Sequence, residues 1–480
     1  MKTKNTILIE NLCLSLLAAF FLFEAVKFYL FFPYTDNEGA FVLIGREMAK
    51  GARLYADIWD HKPPFLFGQS WLLQLLFPLT DFHLHLYALF IHALNAFLIF
   101  NLAKRLDFSH SGAWASAFAY LFLLFPPIFQ PWAVESDLLI LPLLLFSFRT
   151  AFSKNGWVNF LSGALWAAAF FTKQSALFLL PVYLMAGAFA DILKILRWTA
   201  GAGLVLLAVF LYFGVDGRLI PFFLALIGFN QYYIEKGWVF FFGTPAFRDF
   251  LTQWAKTAGL TYGLAFLTLG LGSIGKFEKS LHSRTPFFLT VWLLGVLVSC
   301  GVSGYFFTYY FIELLPPLAL GLGLAWMKWQ ETRRKDLMVC FGVMALGVIG
   351  IETNSWGLRD QIFAYAQYSP PRYFADKSIG LFIAGEAKPG DQLLCWNDDP
   401  QIYVYSGLKP SLKTPFINHL TGLPDEAGKV LTDFTRQPPR YCVVSRMSQV
   451  ITPPDWLRQS LARNYVIVKS LGDFDLYRLR

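Results

Sequence analysis

Long apolar runs separated by short charged clusters carry the chain from Ile7 to Ile351, and short apolar runs alternating with polar ones carry the rest. Ile7 to Phe32 is longer than the core of a signal peptide and ends without a small-residue cleavage site, so it reads as a retained membrane helix. Phe82 to Ala103, Gly112 to Phe129, Leu138 to Phe152, Trp157 to Thr172, Ser175 to Ala190, Thr199 to Gly214, Leu251 to Ile274, Pro286 to Gly301, Phe306 to Met327 and Leu337 to Ile351 follow as further spans, about eleven in all. Phe65 to Phe77 is too short to cross comfortably, and Leu219 to Tyr233 sits in an aromatic-rich stretch. Both read as helices lying along the membrane interface.

Basic residues orient these spans. Lys2 and Lys4, Lys104 and Arg105, Lys154, Lys194 and Arg197, Lys276, Lys279 and Arg284, and the group from Lys328 to Lys335 lie in short connections that the positive-inside rule assigns to the cytoplasm. Parity then puts four stretches outside: Pro33 to Pro64, the connection holding Glu135 and Asp137, the Lys173-Gln174 apex, and the loop over 216–250. An odd number of crossings also places the tail outside. The expected protein is multi-pass in the cell membrane, with a cytoplasmic N terminus and two domains. Residues 1–352 form the membrane domain, in which 33–80 make the first outer loop with its juxtamembrane helices, and 353–480 form a soluble extracytoplasmic domain. In that tail Gln392 to Trp396, Tyr441 to Ser445, Val466 to Ser470 and Phe474 to Leu479 read as strands. Tyr373 to Ala387, Pro400 to Ser406, Asp425 to Phe434 and Asp455 to Arg463 read as helices, which gives a small α/β layer.

Composition agrees with a polytopic α-helical membrane protein: 56% of residues are hydrophobic, 18% aromatic and only 15% charged. The net charge of +8 therefore speaks to topology, since no basic patch tracks a phosphate backbone and no nucleic-acid partner is expected. Cys395 and Cys442 fall in strand-like runs, where buried free thiols are expected, although an extracytoplasmic tail would permit a bridge between them. No phosphate-cradling glycine pattern marks the tail as a nucleotide site.

Charge is scarce and clustered, so where it gathers matters. Asp36, Glu38, Arg46, Glu47, Asp57, Asp60, His61 and Lys62 crowd into the first outer loop. Carboxylates just past a membrane helix can merely solvate the start of the next one. Here Lys62 precedes a Pro-Pro pair whose rigid backbone aims the ammonium, and an aimed lysine suits a phosphate oxygen. Glu135 and Asp137 stand at the outer end of another span, and Lys173 with Gln174 between two more, where ionisable groups point to function. Lys173 could equally snorkel, and Tyr305, Tyr309 and Tyr310 could equally form an aromatic belt. Acids and cations on one outer cavity suit group transfer: a carboxylate takes the proton of an acceptor hydroxyl while cations stabilise a departing phosphate.

The order Asp36-x-Glu38, Gly-Arg46-Glu-Met-Ala-Lys-Gly and Leu-Tyr-Ala-Asp-Ile-Trp-Asp60-His61-Lys62-Pro-Pro resembles the first outer loop of GT-C glycosyltransferases. The likeness is to the protein O-mannosyltransferase-like group and the lipid A aminoarabinose transferases, and it continues in Glu135-Ser-Asp137, Phe-Thr-Lys173-Gln174 and Tyr309-Tyr310 before Leu-Leu-Pro-Pro. It implies an inverting enzyme that moves a sugar from a polyprenyl-phosphate donor to a lipid, protein or polysaccharide acceptor outside the cytoplasm. By the same resemblance Asp36 is the catalytic base and Asp137 a second acid, while Lys62, Lys173 and Tyr309 or Tyr310 contact the donor phosphate. Glu38, Arg46, Asp60, His61, Glu135 and Gln174 are further candidates. His61 replaces an acidic residue found in some relatives, and no metal or cofactor is expected. A flippase for a lipid-linked sugar would need the phosphate contacts without a base, and a non-catalytic relative would use its tail to bind a partner. The flippase reading calls for inverted repeats and helices broken at mid-membrane, and the sequence has neither.

Overall fold

The computed structural model describes residues 32–124, 129–186, 191–242, 285–332, 372–446 and 452–480, with a few single positions elsewhere. The spans expected over Ile7 to Phe32, Leu251 to Ile274 and Leu337 to Ile351 lie outside the described residues or almost wholly so.

Part of the stretch expected as a loop from Pro33 to Pro64 is a helix. Helix α1, Asp36–Ala49, begins on Thr35, whose hydroxyl accepts from the Glu38 amide while the Glu38 side chain accepts from the Thr35 amide. Almost every residue of α1 from Glu38 to Glu47 is buried. A helix covered on all sides shows no amphipathic period, so its run of apolar residues between charges looked like loop. The chain then turns through Tyr55, held at φ +67°, and re-enters with Pro63 and Pro64 starting α2, Pro64–Leu76. Trp71, Leu72, Leu75 and Leu76 leave one apolar face of α2 exposed, as an interface-lying helix requires.

The helices that follow are α3, Asp81–Arg105; α4, His110–Leu123; α5, Ser136–Ala151; α6, Gly156–Phe170; a 3-10 turn Gln174–Leu179 leading into α7, Leu180–Met185; and α8, Ile192–Gly214. Next come α9, Leu219–Phe223, a π-helical turn Leu224–Phe229 and α10, Asn230–Phe242, which together extend beyond the helix expected over Leu219 to Tyr233. Helix α11, Thr285–Gly301, precedes a 3-10 turn Thr308–Leu314 and α12, Leu315–Thr332. Among the described residues three helical stretches are long and apolar enough to cross a membrane: Asp81–Arg105, Ile192–Gly214 and Thr308–Thr332. Leu86, Phe90 and Phe97 of α3, and Leu193, Leu196, Leu204, Leu207 and Leu211 of α8, stand exposed, as side chains facing lipid would. Helices α6 and α8 touch through glycine. A Cβ on Gly163 would sit 1.9 Å from the Trp198 carbonyl, and one on Gly201 1.9 Å from that of Phe160.

The tail is the expected α/β layer. Helix α13, Arg372–Glu386, precedes β1, Gln392–Trp396; α14, Gln401–Ser406; a short β2, Lys409–Pro410; α15, Pro424–Arg436; β3, Tyr441–Ser445; α16, Asp455–Asn464; β4, Tyr465–Leu471; and β5, Phe474–Leu479. The sheet order is β2-β1-β3-β5-β4, with β2, β1 and β3 parallel and the last two strands antiparallel. Leu393, Cys395, Tyr441 and Val443 join the large core shared with the membrane helices, while Leu394, Trp396, Cys442 and Val444 pack under α15 and α16. Cys395 and Cys442 therefore face opposite sides of the sheet, and both are free.

The tail is clamped onto α1 and α3. Arg46 donates to the carbonyls of Tyr403 at 3.0 Å and Leu408 at 2.7 Å. Asp81 accepts from Tyr405 at 2.7 Å and pairs with Lys377.

Candidate active site

Where the tail meets the ends of the helices, a cavity of about 1130 Å³ opens. Asp36, His61, Lys62, Glu135, Lys173, Gln174, Tyr309 and Tyr310 line it, eight of the residues singled out from sequence.

Asp36 occupies the first turn of α1, where the unpaired amides of a helix start favour negative charge. Its Oδ1 accepts from Nε2 of Gln401 at 3.1 Å. Gln401 comes from the tail, and the same nitrogen reaches Asp376 at 2.6 Å and Asp399 at 3.3 Å. The acid at the start of α1 is thus gripped by a carboxamide from more than three hundred residues downstream.

Lys62 is aimed by its loop. The Tyr55 hydroxyl donates to the Lys62 carbonyl at 2.7 Å, Arg53 and Asp57 pair across the turn, and the Lys62 amide donates to Asp60 at 3.1 Å. The ammonium donates to Oδ1 of Asn37 at 3.0 Å and lies 5.0 Å from the Phe41 ring centre, and among the described residues it makes no ion pair. Asn37 is the hub of this end. Its amide nitrogen donates to Glu135 at 3.0 Å and to the Tyr309 hydroxyl at 3.1 Å. Burial pushes the Glu135 carboxyl up to about 8, with Lys62 opposing and Glu38 and Asp137 assisting.

Lys173 is differently placed. Its ammonium pairs with both Asp137 and Glu313, lies 4.6 Å from the Tyr310 ring centre, and is 15% exposed. Ser299 donates to the far oxygen of Glu313 at 3.1 Å. Burial works against the charge on Lys173, and the two carboxylates outweigh it, holding the lysine well above its ordinary value. Gln174 donates to the Leu226 carbonyl at 2.7 Å, inside the π-helical turn. Such turns widen a helix locally, and Asn230, which follows, donates to the His61 carbonyl at 3.1 Å.

Asp60, His61 and His419 form a buried cluster whose ligand-type atoms all lie within 4.8 Å of one another. Burial lowers both imidazoles, His419 to about 3, so they are neutral near pH 7. Burial disfavours charge on Asp60 as well, yet Lys62 and His61 hold it below the usual carboxylate range. Among the described residues Asp60 Oδ2 and Nδ1 of His419 have no hydrogen-bond partner, while Nδ1 of His61 stands 3.2 Å from Asp60 Oδ1. Two neutral imidazoles and a carboxylate form a donor set that suits a zinc-like cation.

Four sequence candidates lie off the cavity lining. Arg46 anchors the tail and also pairs with Glu47. Glu38 caps α1, accepts from the Val134 amide at 2.8 Å and faces His85 at 3.3 Å. Asp60 and Asp137 act on lining residues, namely His61 and Lys173. Sequence reading passed over Asn37, Gln401, Glu313, His419 and Asn397. Asn37 stands between two acids already singled out, which was the available signal. For the tail residues nothing local marked them.

No protein-family model matches the chain, and none of the curated proteins matches it in sequence. In structure it is similar to ArnT from Cupriavidus metallidurans bound to undecaprenyl phosphate, with a TM-score of 0.60 at 15% identity over 97% of each chain. The apo form of that protein matches equally, with a TM-score of 0.60 at 14% identity over 98% of each chain. The chain thus has the GT-C fold over nearly its whole length.

Proposed function

We propose that this protein is an inverting glycosyltransferase that moves a sugar from a polyprenyl-phosphate donor to an acceptor hydroxyl on the outer side of the membrane. The observation that carries the reading is one cavity holding a helix-start carboxylate, Asp36, and a lysine without an ion-pair partner among the described residues, Lys62. The fold is that of a protein whose crystal structure holds undecaprenyl phosphate, which supports the same donor class here.

In this reading the acceptor oxygen attacks the anomeric carbon as the bond from that carbon to the phosphate oxygen breaks. The bonding electron pair leaves on the phosphate, and Asp36 takes the acceptor proton. Attack opposite the leaving group inverts the anomeric centre. Lys62 meets the growing phosphate charge, helped by the Tyr309 hydroxyl, which Asn37 holds beside it. Lys173 adds positive charge to the floor, while Asp137 and Glu313 fix where that charge sits. The step as written uses no metal ion. A cation between Asp60, His61 and His419 would brace the loop that aims Lys62 without touching the reacting atoms. The N terminus is cytoplasmic in this reading, with about eleven crossings placing the tail outside.

The test is transfer by purified protein in nanodiscs supplied with a polyprenyl-phosphate sugar and extracytoplasmic glycans. Asp36→Asn should fold and bind the donor yet form no glycosidic bond. Substantial product from that variant would remove Asp36 as the base, and movement of donor across a vesicle without product would favour a flippase.

A further inference from the structure

Two acids stand at the start of α5, Glu135 at the cap and Asp137 in the first turn, and the fold uses them differently. Asp137 is fully buried and off the cavity lining, and both of its oxygens are occupied: Lys173 pairs with Oδ1, and Ser136 donates to Oδ2 at 3.1 Å. Glu135 lines the cavity. Its side chain makes no bond to the amides of its own helix. Oε2 accepts from Asn37 at 3.0 Å, and Oε1 has no hydrogen-bond partner among the described residues.

Asn37 makes Glu135 a neighbour of the groups assigned to the donor phosphate. The amide nitrogen that meets Glu135 also donates to the Tyr309 hydroxyl at 3.1 Å, and the amide oxygen accepts from the Lys62 ammonium at 3.0 Å. One carboxamide therefore gathers a lysine, a tyrosine hydroxyl and a carboxyl group, all three on the cavity lining.

We propose that Glu135, rather than Asp137, is the acid that meets the donor, and that it does so as a neutral carboxylic acid giving a hydrogen bond to the phosphate. The inference rests on the transferase reading above, which puts the phosphate at Lys62 and Tyr309.

An ionised Glu135 could only accept hydrogen bonds, and it would repel the phosphate oxygens. A protonated carboxyl keeps one O–H to give. The groups that face it are Lys62 from the loop before α2, Glu38 from α1, Asp137 from α5, and Tyr309 and Tyr310 from the 3-10 turn before α12. Lys173, the other lysine of the lining, is taken up by Asp137 and Glu313. Burial, with Glu38 and Asp137 assisting and Lys62 and Asn37 opposing, holds the Glu135 proton up to about 8. During transfer that proton stays where it is. The acceptor proton goes to Asp36 and the bonding pair to the phosphate, and the hydrogen bond from Glu135 strengthens as charge grows on the oxygen it meets. A ligand that needs the protonated form loses affinity as the proton leaves, so donor affinity falls as pH rises through about 8.

The experiment measures the affinity of undecaprenyl phosphate for the full chain in nanodiscs by calorimetry, from about pH 7 to about pH 9.5. The second ionisation of a phosphate monoester, at about pH 6, is complete before this range begins. Wild-type affinity should fall by up to about thirtyfold across it, the limit for loss of one proton with a pKa of about 8. Glu135→Gln keeps an oxygen for Asn37 and offers an N–H that does not titrate. It should bind up to about fivefold more weakly than wild type at the low end and more tightly at the high end, with no slope between. Glu135→Ala should lose about tenfold or more at the low end and also show no slope. Lys62→Arg, whose charge does not titrate, should keep the slope. A wild-type affinity that ignores pH, or a slope that survives in Glu135→Gln or vanishes in Lys62→Arg, overturns the inference while the donor reading stands. No binding of undecaprenyl phosphate at any pH, with the protein folded, refutes the donor reading and the inference with it.

Discussion

Gly39→Ala tests whether the tail completes the site. Gly39 lies in α1 three residues after Asp36, and a Cβ there would stand 2.5 Å from the backbone nitrogen of Gln401, 2.7 Å from its Cα and 2.8 Å from its Cβ. Carbon contacts settle at about 3.5–4.0 Å, so α1 and the start of α14 must part by about 1 Å. Overpacking of this kind costs about 1–3 kcal/mol, of which the better helix propensity of alanine returns at most about 1 kcal/mol. The larger effect falls on Gln401, whose Nε2 sits 3.1 Å from Asp36 and cannot follow a shift of that size without losing the bond. A misplacement of about 1 Å in a reacting constellation lowers rate on the order of a hundredfold. The control is Gly68→Ala in α2, also inside a helix, where a Cβ would meet nothing within 4 Å. It should gain about 0.5–1 kcal/mol and transfer normally. Both variants are compared by glycosyl transfer in nanodiscs and by thermal unfolding followed through tryptophan fluorescence. Wild-type transfer and an unmoved Tm in Gly39→Ala would refute the packing of the tail on α1 and, with it, the bond to Asp36.

The two lysines of the cavity should separate in opposite directions. Lys173→Ala strands Asp137 and Glu313 without their cation and should destabilise by about 3–5 kcal/mol, read from the unfolding midpoint. Lys62→Ala breaks no ion pair among the described residues and should cost about 1 kcal/mol or less in stability while abolishing donor binding by calorimetry; retained donor affinity would take the phosphate contact away from Lys62. Glu135 titrates near 8 when folded and near its ordinary 4.5 when unfolded. Between those values the folded protein keeps a proton that the unfolded chain has lost, so stability falls as pH rises from about 4.5 through about 8 and then levels off. Glu135→Gln should flatten that slope in unfolding measurements across the window, and an unchanged slope would assign it to another group. Arg46→Ala removes two charged hydrogen bonds to tail carbonyls and should cost about 1.5–3 kcal/mol for each, with limited proteolysis releasing the tail faster; an unchanged cleavage rate would show that the tail is held elsewhere.

Several elements were legible because their signals are local. The period and length of the apolar runs gave α3, α5, α6 and α11 to within a few residues, and the alternating tail gave four of its five strands. The missed strand, β2, has two residues and exists only through its pairing with β1. Helix α1 had a local signal that the crowd of charges hid: Thr35-Asp-Asn-Glu38 is a capping box before an apolar run. Reading it so would have returned Glu38 to a structural role, since its side chain is spent on the cap, on Val134 and beside His85.

The sequence by itself determined that ionisable groups gather at the ends of apolar helices, because in so apolar a chain charge is confined to where water reaches. It determined that Asp36, Lys62, Glu135 and Lys173 were candidates, and that a layered α/β tail follows. Only the tertiary structure decided how these groups are used. Lys62 and Lys173 look alike in sequence, yet one faces a neutral amide and the other two buried carboxylates. Gln401, Asn397 and His419 carry no local mark at all, because their meaning comes from docking a distant sheet edge onto α1. Pattern reports what a residue does for its own helix or strand, whereas a site is made by side chains brought together across hundreds of residues.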